Sequence, residues 1–154
     1  MKEEFSLSWL VQNWPMWDDI YIKNIWLNTE SRDIVRILED MDTNVDIEEN
    51  YIDIEQNIDK FHCMPNRDSI NIDKAIQKFM SYCNEEDKAE LSEVLESDRP
   101  YENFRDAVYD LGLDNKFNEF KDRVSAAILY NWANDESINV DVDMKMIDLD
   151  KEEF

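Results

Sequence analysis

The sequence holds one glycine, three prolines, one histidine and two cysteines in 154 residues, and bases are scarce, with 16 Lys and Arg against 38 Asp and Glu. Each scarcity excludes a class of chemistry. A single glycine cannot build the phosphate-cradling loops of the Walker or dinucleotide type, where several residues without a Cβ let the backbone approach the phosphates. One histidine rules out a multi-histidine metal centre. Apolar runs are a few residues long and charges interrupt every window, far short of the roughly 20 apolar residues of a membrane-spanning helix. The opening MKEEFSLSW lacks the basic start and unbroken apolar stretch of a secretory signal, so a cytoplasmic location without a membrane partner is expected. There, Cys63 and Cys83 are expected to be reduced, buried small hydrophobes rather than a disulfide.

What is present argues for a folded chain. Five Trp, six Tyr and seven Phe within a 43% hydrophobic composition set it apart from disordered acidic sequences, and the length suits one domain, 1–154, with a real core. The formal net charge is −22. It is shared: residues 1–63 carry 15 acids and 5 bases (−10), residues 64–154 carry 23 and 11 (−12). Such a surface disfavours direct binding to nucleic acid.

Two textures divide the chain. From about Ile20 to Met64, IYIKNIWLN and DIVRIL read as a β-hairpin across the turn-like Thr29–Arg32, followed by brief alternations at Val45 and Ile47, Ile52 and Ile54, and Phe61 to Met64, each fitting an edge strand or a loop. From Ser69 the period becomes helical. Ile72, Ala75, Ile76, Phe79, Met80 and Cys83 share one helix face. Asn84 with Asp87 reads as an N-cap for a helix bearing Leu91, Val94 and Leu95. Pro100 opens a helix that aligns Tyr101, Phe104, Val108 and Leu111, and Gly112 ends it. Asp114 then caps a long helix with a stripe at Phe117, Phe120, Val124, Ala127, Ile128 and Trp132. The tail INVDVDMKM has period two and predicts a strand joining the N-terminal sheet. The expected fold is therefore α+β: a small antiparallel sheet packed against about four helices spanning roughly 69–134.

The order of marks in the helical half carries a resemblance. An extended segment ending in Met64-Pro65, an aromatic-x-x-Phe-basic-Asp motif at Tyr101, Phe104, Arg105 and Asp106, and a final helix with Phe117, Phe120 and Trp132 resemble the uncharacterised bacterial protein family numbered 0158 in the uncharacterised-protein series. The resemblance runs over about residues 20–138, with Asn28 where the family's strand usually has Asp. It implies a fold and carries no activity, cofactor or site residue.

Candidate chemistry is thin. His62 and Cys63 are neighbours on an expected strand and so point to opposite faces, which prevents a thiolate–imidazole pair between them. Asp141, Asp143, Asp148 and Asp150 fail as a calcium loop, because Met146 stands where glycine is required and Lys145 puts a cation among the ligands. No catalytic, metal or cofactor residue emerges. Trp9, Trp14, Trp17 and Trp26 cover one side of the sheet or, alternatively, form a partner patch. The charge serves solubility alone, or it complements a basic partner. Its most one-sided stretch is Asp33–Asp59, ten acids against Arg36. The leading expectation is a non-enzymatic acidic protein that binds and inhibits or neutralises a basic protein, as an immunity protein, nucleic-acid mimic or anti-defence factor would. Its partner-binding candidates are Asp40, Asp42, Asp46, Glu48, Glu49, Trp14 and Trp17. A carboxylate-dependent enzyme or metal-binding protein, and a housekeeping protein whose acidity has no target, are the competing readings.

Overall fold

In a computed structural model that describes residues 4–15, 22–38, 52–66 and 72–146, the elements are β1 (Phe5–Ser6), α1 (Leu7–Gln12), β2 (Ile22–Asn28), β3 (Ile34–Leu38), α2 (52–56), β4 (Phe61–Cys63), α3 (Ile72–Ser81), α4 (Glu85–Val94), α5 (Pro100–Asp110), α6 (Asp114–Asp135) and β5 (Val140–Asp141). The fold is α+β. The β-rich texture becomes an antiparallel sheet in the order β3-β2-β4, with Leu27 opposite both Ile34 and His62. Ile25 and Leu27, two apart on β2, point to one face and are fully buried. Where the hairpin turns without glycine, Asn28 Oδ1 accepts from the Glu30 and Ser31 amides at 2.9 and 3.0 Å, and Arg32 takes a left-handed φ of 66°. The Arg32 guanidinium sits 4.2 Å from the centroid of the Phe5 ring and Nη2 donates to the Glu4 carbonyl at 2.7 Å, so the strained residue is held by its own side chain.

The helices follow the apolar spacing. Ala75, Ile76, Phe79 and Met80 of α3 are buried; Ser69, where that helix was expected to begin, lies outside the described residues. Asn84 Oδ1 accepts from the Asp87 amide at 2.8 Å, the N-cap read from the sequence. Pro100 occupies the first turn of α5. Gly112, at φ 70°, closes α5 with the bonds Gly112 N–H to Tyr109 carbonyl, 3.0 Å, and Leu113 N–H to Val108 carbonyl, 2.8 Å. The end of α6 repeats this pattern without a glycine: Ser137, at φ 58°, and Ile138 donate to the Asn134 and Ala133 carbonyls.

One helix contributes to both apolar clusters. Phe120 and Val124 of α6 join Ala75, Ile76, Phe79, Met80, Leu91, Phe104, Val108 and Leu113 in one apolar cluster. Ala126, Leu129 and Ala133 join Phe5, Leu7, Leu10, Trp14, Ile25, Leu27, Met64 and Ile138 in another. Three- and four-residue steps put those two sets on opposite sides of α6, where alanine lets α1 come close. Ile72 and Ile128 pack against both clusters.

Several expectations need correction. Ile52 and Ile54 belong to the helical turn α2, where residues two apart lie on nearly opposite sides, so Ile54 is buried and Ile52 exposed and the pair is not a strand alternation. Tyr101 was expected in the buried stripe but is 48% exposed, its hydroxyl donating to Asp73 Oδ1 at 2.6 Å. Asp114 is the first residue of α6, not its cap; Leu113 occupies that position and supplies no side-chain bond. The tail strand is short: β5 has two residues and pairs in parallel with β1, apart from the main sheet. Cys63 is exposed and Cys83 half-buried, both as free thiols.

The pairing of β5 brings Asp143 to the start of α1. Its Oδ1 accepts from the Ser8 amide at 2.8 Å, and Oδ2 accepts from the Ser8 hydroxyl at 3.0 Å and from the Ser6 hydroxyl. The Ser6 bond, followed by the Ser8 amide, holds this carboxyl below its ordinary range. A lowered folded-state value means stability that is present at neutral pH and lost as pH falls through that value. Asp143→Asn is therefore expected to lower the urea midpoint at pH 7, and the gap to wild type should close in acid, where Asp143 is protonated in both states. A gap that persists unchanged at low pH contradicts the assignment.

Candidate functional site

The surface holds the acids. Between Glu85 and Asp98 seven acids face one base, Lys88, and of α4 only Leu91 is fully buried. Glu85, Glu86 and Asp87 lie in the first turn, where the positive end of the helix dipole favours them. The distal acids have no such justification. Glu93 on α4, Asp110 on α5 and Asp135 on α6 sit in last turns that contain no basic residue, against the negative end of each dipole, and all three are exposed. Tyr109, 71% exposed, stands beside Asp110.

The sequence-chosen partner residues fare differently. Trp14 is a core residue, 1% exposed, with Nε1 donating to the Pro65 carbonyl at 2.7 Å, so it presents no face to a partner. Its burial corrects the partner-patch reading at that position, because a side chain that fills the core cannot also be a contact surface. Trp9 and Trp26 are half-buried. Trp17, Asp40, Asp42, Asp46, Glu48 and Glu49 lie outside the described residues, as do Asp148 and Asp150. Among the described residues no three His, Cys, Asp or Glu side chains come together to hold a metal ion. None of the described helices is long and apolar enough to cross a membrane.

The thiols are poorly placed as nucleophiles. Partial burial foremost, then Glu136, pushes Cys63 up; partial burial foremost, then Asp87, pushes Cys83 up, with Lys116 offsetting part of it. Cys83 lines a cleft of about 570 Å³ between the end of α3 and α6, with Phe79, Tyr82, Phe120 and Lys116. A raised thiol holds less thiolate at neutral pH and is a weaker nucleophile.

One polar constellation had no counterpart in the sequence reading. His62 Nδ1 lies 3.0 Å from Glu136 Oε2, joining β4 to the residue that ends α6, and Trp132 Nε1 donates to the Cys63 carbonyl at 3.0 Å alongside. A separation of 74 residues left no local pattern to find it by. The uncompensated helix ends, by contrast, were readable once helix ends were known, as acids without a following Lys or Arg.

A family model described as "Uncharacterised protein family (UPF0158)" matches residues 8–154. The chain belongs to this family. The match extends the resemblance at both ends, taking in α1 and the tail. No curated protein and no solved structure matches this UPF0158 chain. The family description assigns no activity.

The thiol environments give a direct expectation. Folded, both cysteines of this UPF0158 protein should react with an aromatic disulfide reagent at neutral pH more slowly than in the urea-unfolded chain, with rates rising as pH increases. Equal rates folded and unfolded would contradict the burial and charge argument.

Proposed function

We propose that this UPF0158 protein is a non-enzymatic interaction protein whose acidic surface binds, and inhibits or neutralises, a basic protein partner. The observation that carries the reading is the placement of Glu93, Asp110 and Asp135 at the negative ends of three helices without a compensating base. Solubility needs net charge and is indifferent to where the charges sit, whereas each acid at a helix C-terminus costs about 0.3–1 kcal/mol at low ionic strength. Acids kept where they oppose the fold point to a use beyond solubility. A net charge of −22 adds attraction that steers a basic partner into encounter. The exposed face of α4 and the end of α5 with Tyr109 are one proposed contact, and the stretch Asp33–Asp59, with Asp40, Asp42, Asp46, Glu48 and Glu49, is a second, chosen on its charge alone. The raised thiols support a non-enzymatic reading, since they leave no activated nucleophile at Cys63 or Cys83.

Immobilised protein should retain a basic protein from host lysate at low salt and release it at about 0.5 M salt, where screening removes surface attraction beyond a few ångströms. The double substitution Glu93→Gln and Asp110→Asn should raise stability at low salt while weakening that retention. A variant that gains stability and binds as wild type would leave the acids without the proposed role, and a capture insensitive to salt would remove the electrostatic mechanism.

A further inference from the structure

The cleft of about 570 Å³ between the end of α3 and α6 joins an aromatic wall to charges of both signs. Three rings meet there: the Phe120 centroid lies 5.6 Å from that of Phe79 and 6.2 Å from that of Tyr82. Phe79 and Phe120 belong to the buried cluster of α3 to α6, whereas Tyr82, just past the end of α3, is 65% exposed. A ring left open in the wall of a cavity supplies apolar area for an occupant to cover. The volume lies within the range of small-molecule sites.

Asp87, from the first turn of α4, and Lys116, from the first turn of α6, reach this cleft from different helices. Burial foremost raises the Cys83 thiol, Asp87 adds to it and Lys116 offsets part of it, so both charges lie within electrostatic reach of one sulfur in the wall. Glu119 and Arg123, which also line the cleft, bond one another at 2.6 Å. We propose that this cleft binds a free aromatic α-amino acid, with its ring against Tyr82 and Phe120, its ammonium at Asp87 and its carboxylate at Lys116. An α-amino acid carries opposite charges on one carbon, and an acid and a base brought to one thiol from two helices complement that dipole. A ligand with the carboxylate alone would meet Asp87 and a chain of net charge −22 without an ammonium to offset them. One with the ammonium alone would face Lys116 without a carboxylate. The ring adds apolar burial and aromatic contact that a small amino acid lacks.

Cys83 lines the cleft and Cys63 does not, so one chain carries both a reporter thiol and its control. In the full chain, L-phenylalanine should slow alkylation of Cys83 by iodoacetamide along a saturating curve and leave Cys63 unchanged. The amide resonances of Cys83, Asn84 and Lys116 should move with the same half-saturation. 3-Phenylpropanoate, which lacks the ammonium, phenylalaninamide, which lacks the carboxylate, and alanine, which lacks the ring, should each bind about tenfold more weakly or worse. Lys116→Met and Asp87→Asn, both near the surface, should each raise the half-saturation read from the amide shifts by a similar factor; Glu102→Gln, on α5 outside the cleft, should leave it unchanged. Shifts that do not saturate, protection that Cys63 shares, or binding that survives both Lys116→Met and Asp87→Asn would overturn the proposal. Phenylalaninamide or 3-phenylpropanoate binding as tightly as phenylalanine would overturn the amino-acid assignment.

Discussion

The structure depends on α6 being buried along two sides. Phe120 and Val124 close a cluster built from α3, α4 and α5, while Ala126, Leu129 and Ala133 close one built from α1, the sheet and the chain beyond α6. Neither cluster is complete without its share of this helix. Val124, Ala126 and Leu129 have no exposed surface, and fully burying a side chain of valine or leucine size contributes about 1.5–3 kcal/mol. The two small residues, Ala126 and Ala133, admit α1 to close range; a larger side chain at either position would force α1 away from the sheet side of the core. Self-repulsion from a charge of −22 opposes compaction, so the double use of one helix is what makes a short acidic chain cohere.

Charge and backbone strain are the two places where the chain departs from what stability alone would select. First-turn acids on α4 agree with its dipole; last-turn acids on α4, α5 and α6 do not. Left-handed backbone falls to glycine at the end of α5, yet to serine at the end of α6 and arginine at the hairpin. Departures of the first kind spread over exposed helices and suit a broad electrostatic contact. Those of the second kind converge on one cleft, which Arg32 and Ser137 both line.

Local signals were legible in the sequence and long-range ones were not. The stripe of α3, the Asn84 cap, Pro100 and Gly112 each follow from a few neighbouring residues, and each lies where the spacing put it. The double burial of α6 was half seen: the Phe117–Trp132 stripe marks one side, but Ala126, Leu129 and Ala133 read as weak because alanine gives little hydrophobic contrast. Ser137 ends α6 in a glycine-type conformation, which composition does not advertise. Tyr101 has the helical spacing of a core residue and an acid, Asp73, within reach of its hydroxyl, so a polar tether wins over burial. The parallel pairing of β5 with β1, and the meeting of His62 with Glu136, join residues more than 70 positions apart and leave no periodic trace.

The central claim, that both clusters stand on α6 and share its fate, has a direct test in urea unfolding of the full chain. Trp14 lies in the first cluster and Trp9 and Trp132 pack against it, while the second cluster has no described tryptophan, so tryptophan fluorescence reports the first and the far-ultraviolet helical signal is weighted towards α3 to α5 in the second. A shared α6 predicts coincident transitions by the two probes, with a single midpoint. Fluorescence and helical signals that separate into two midpoints would contradict it.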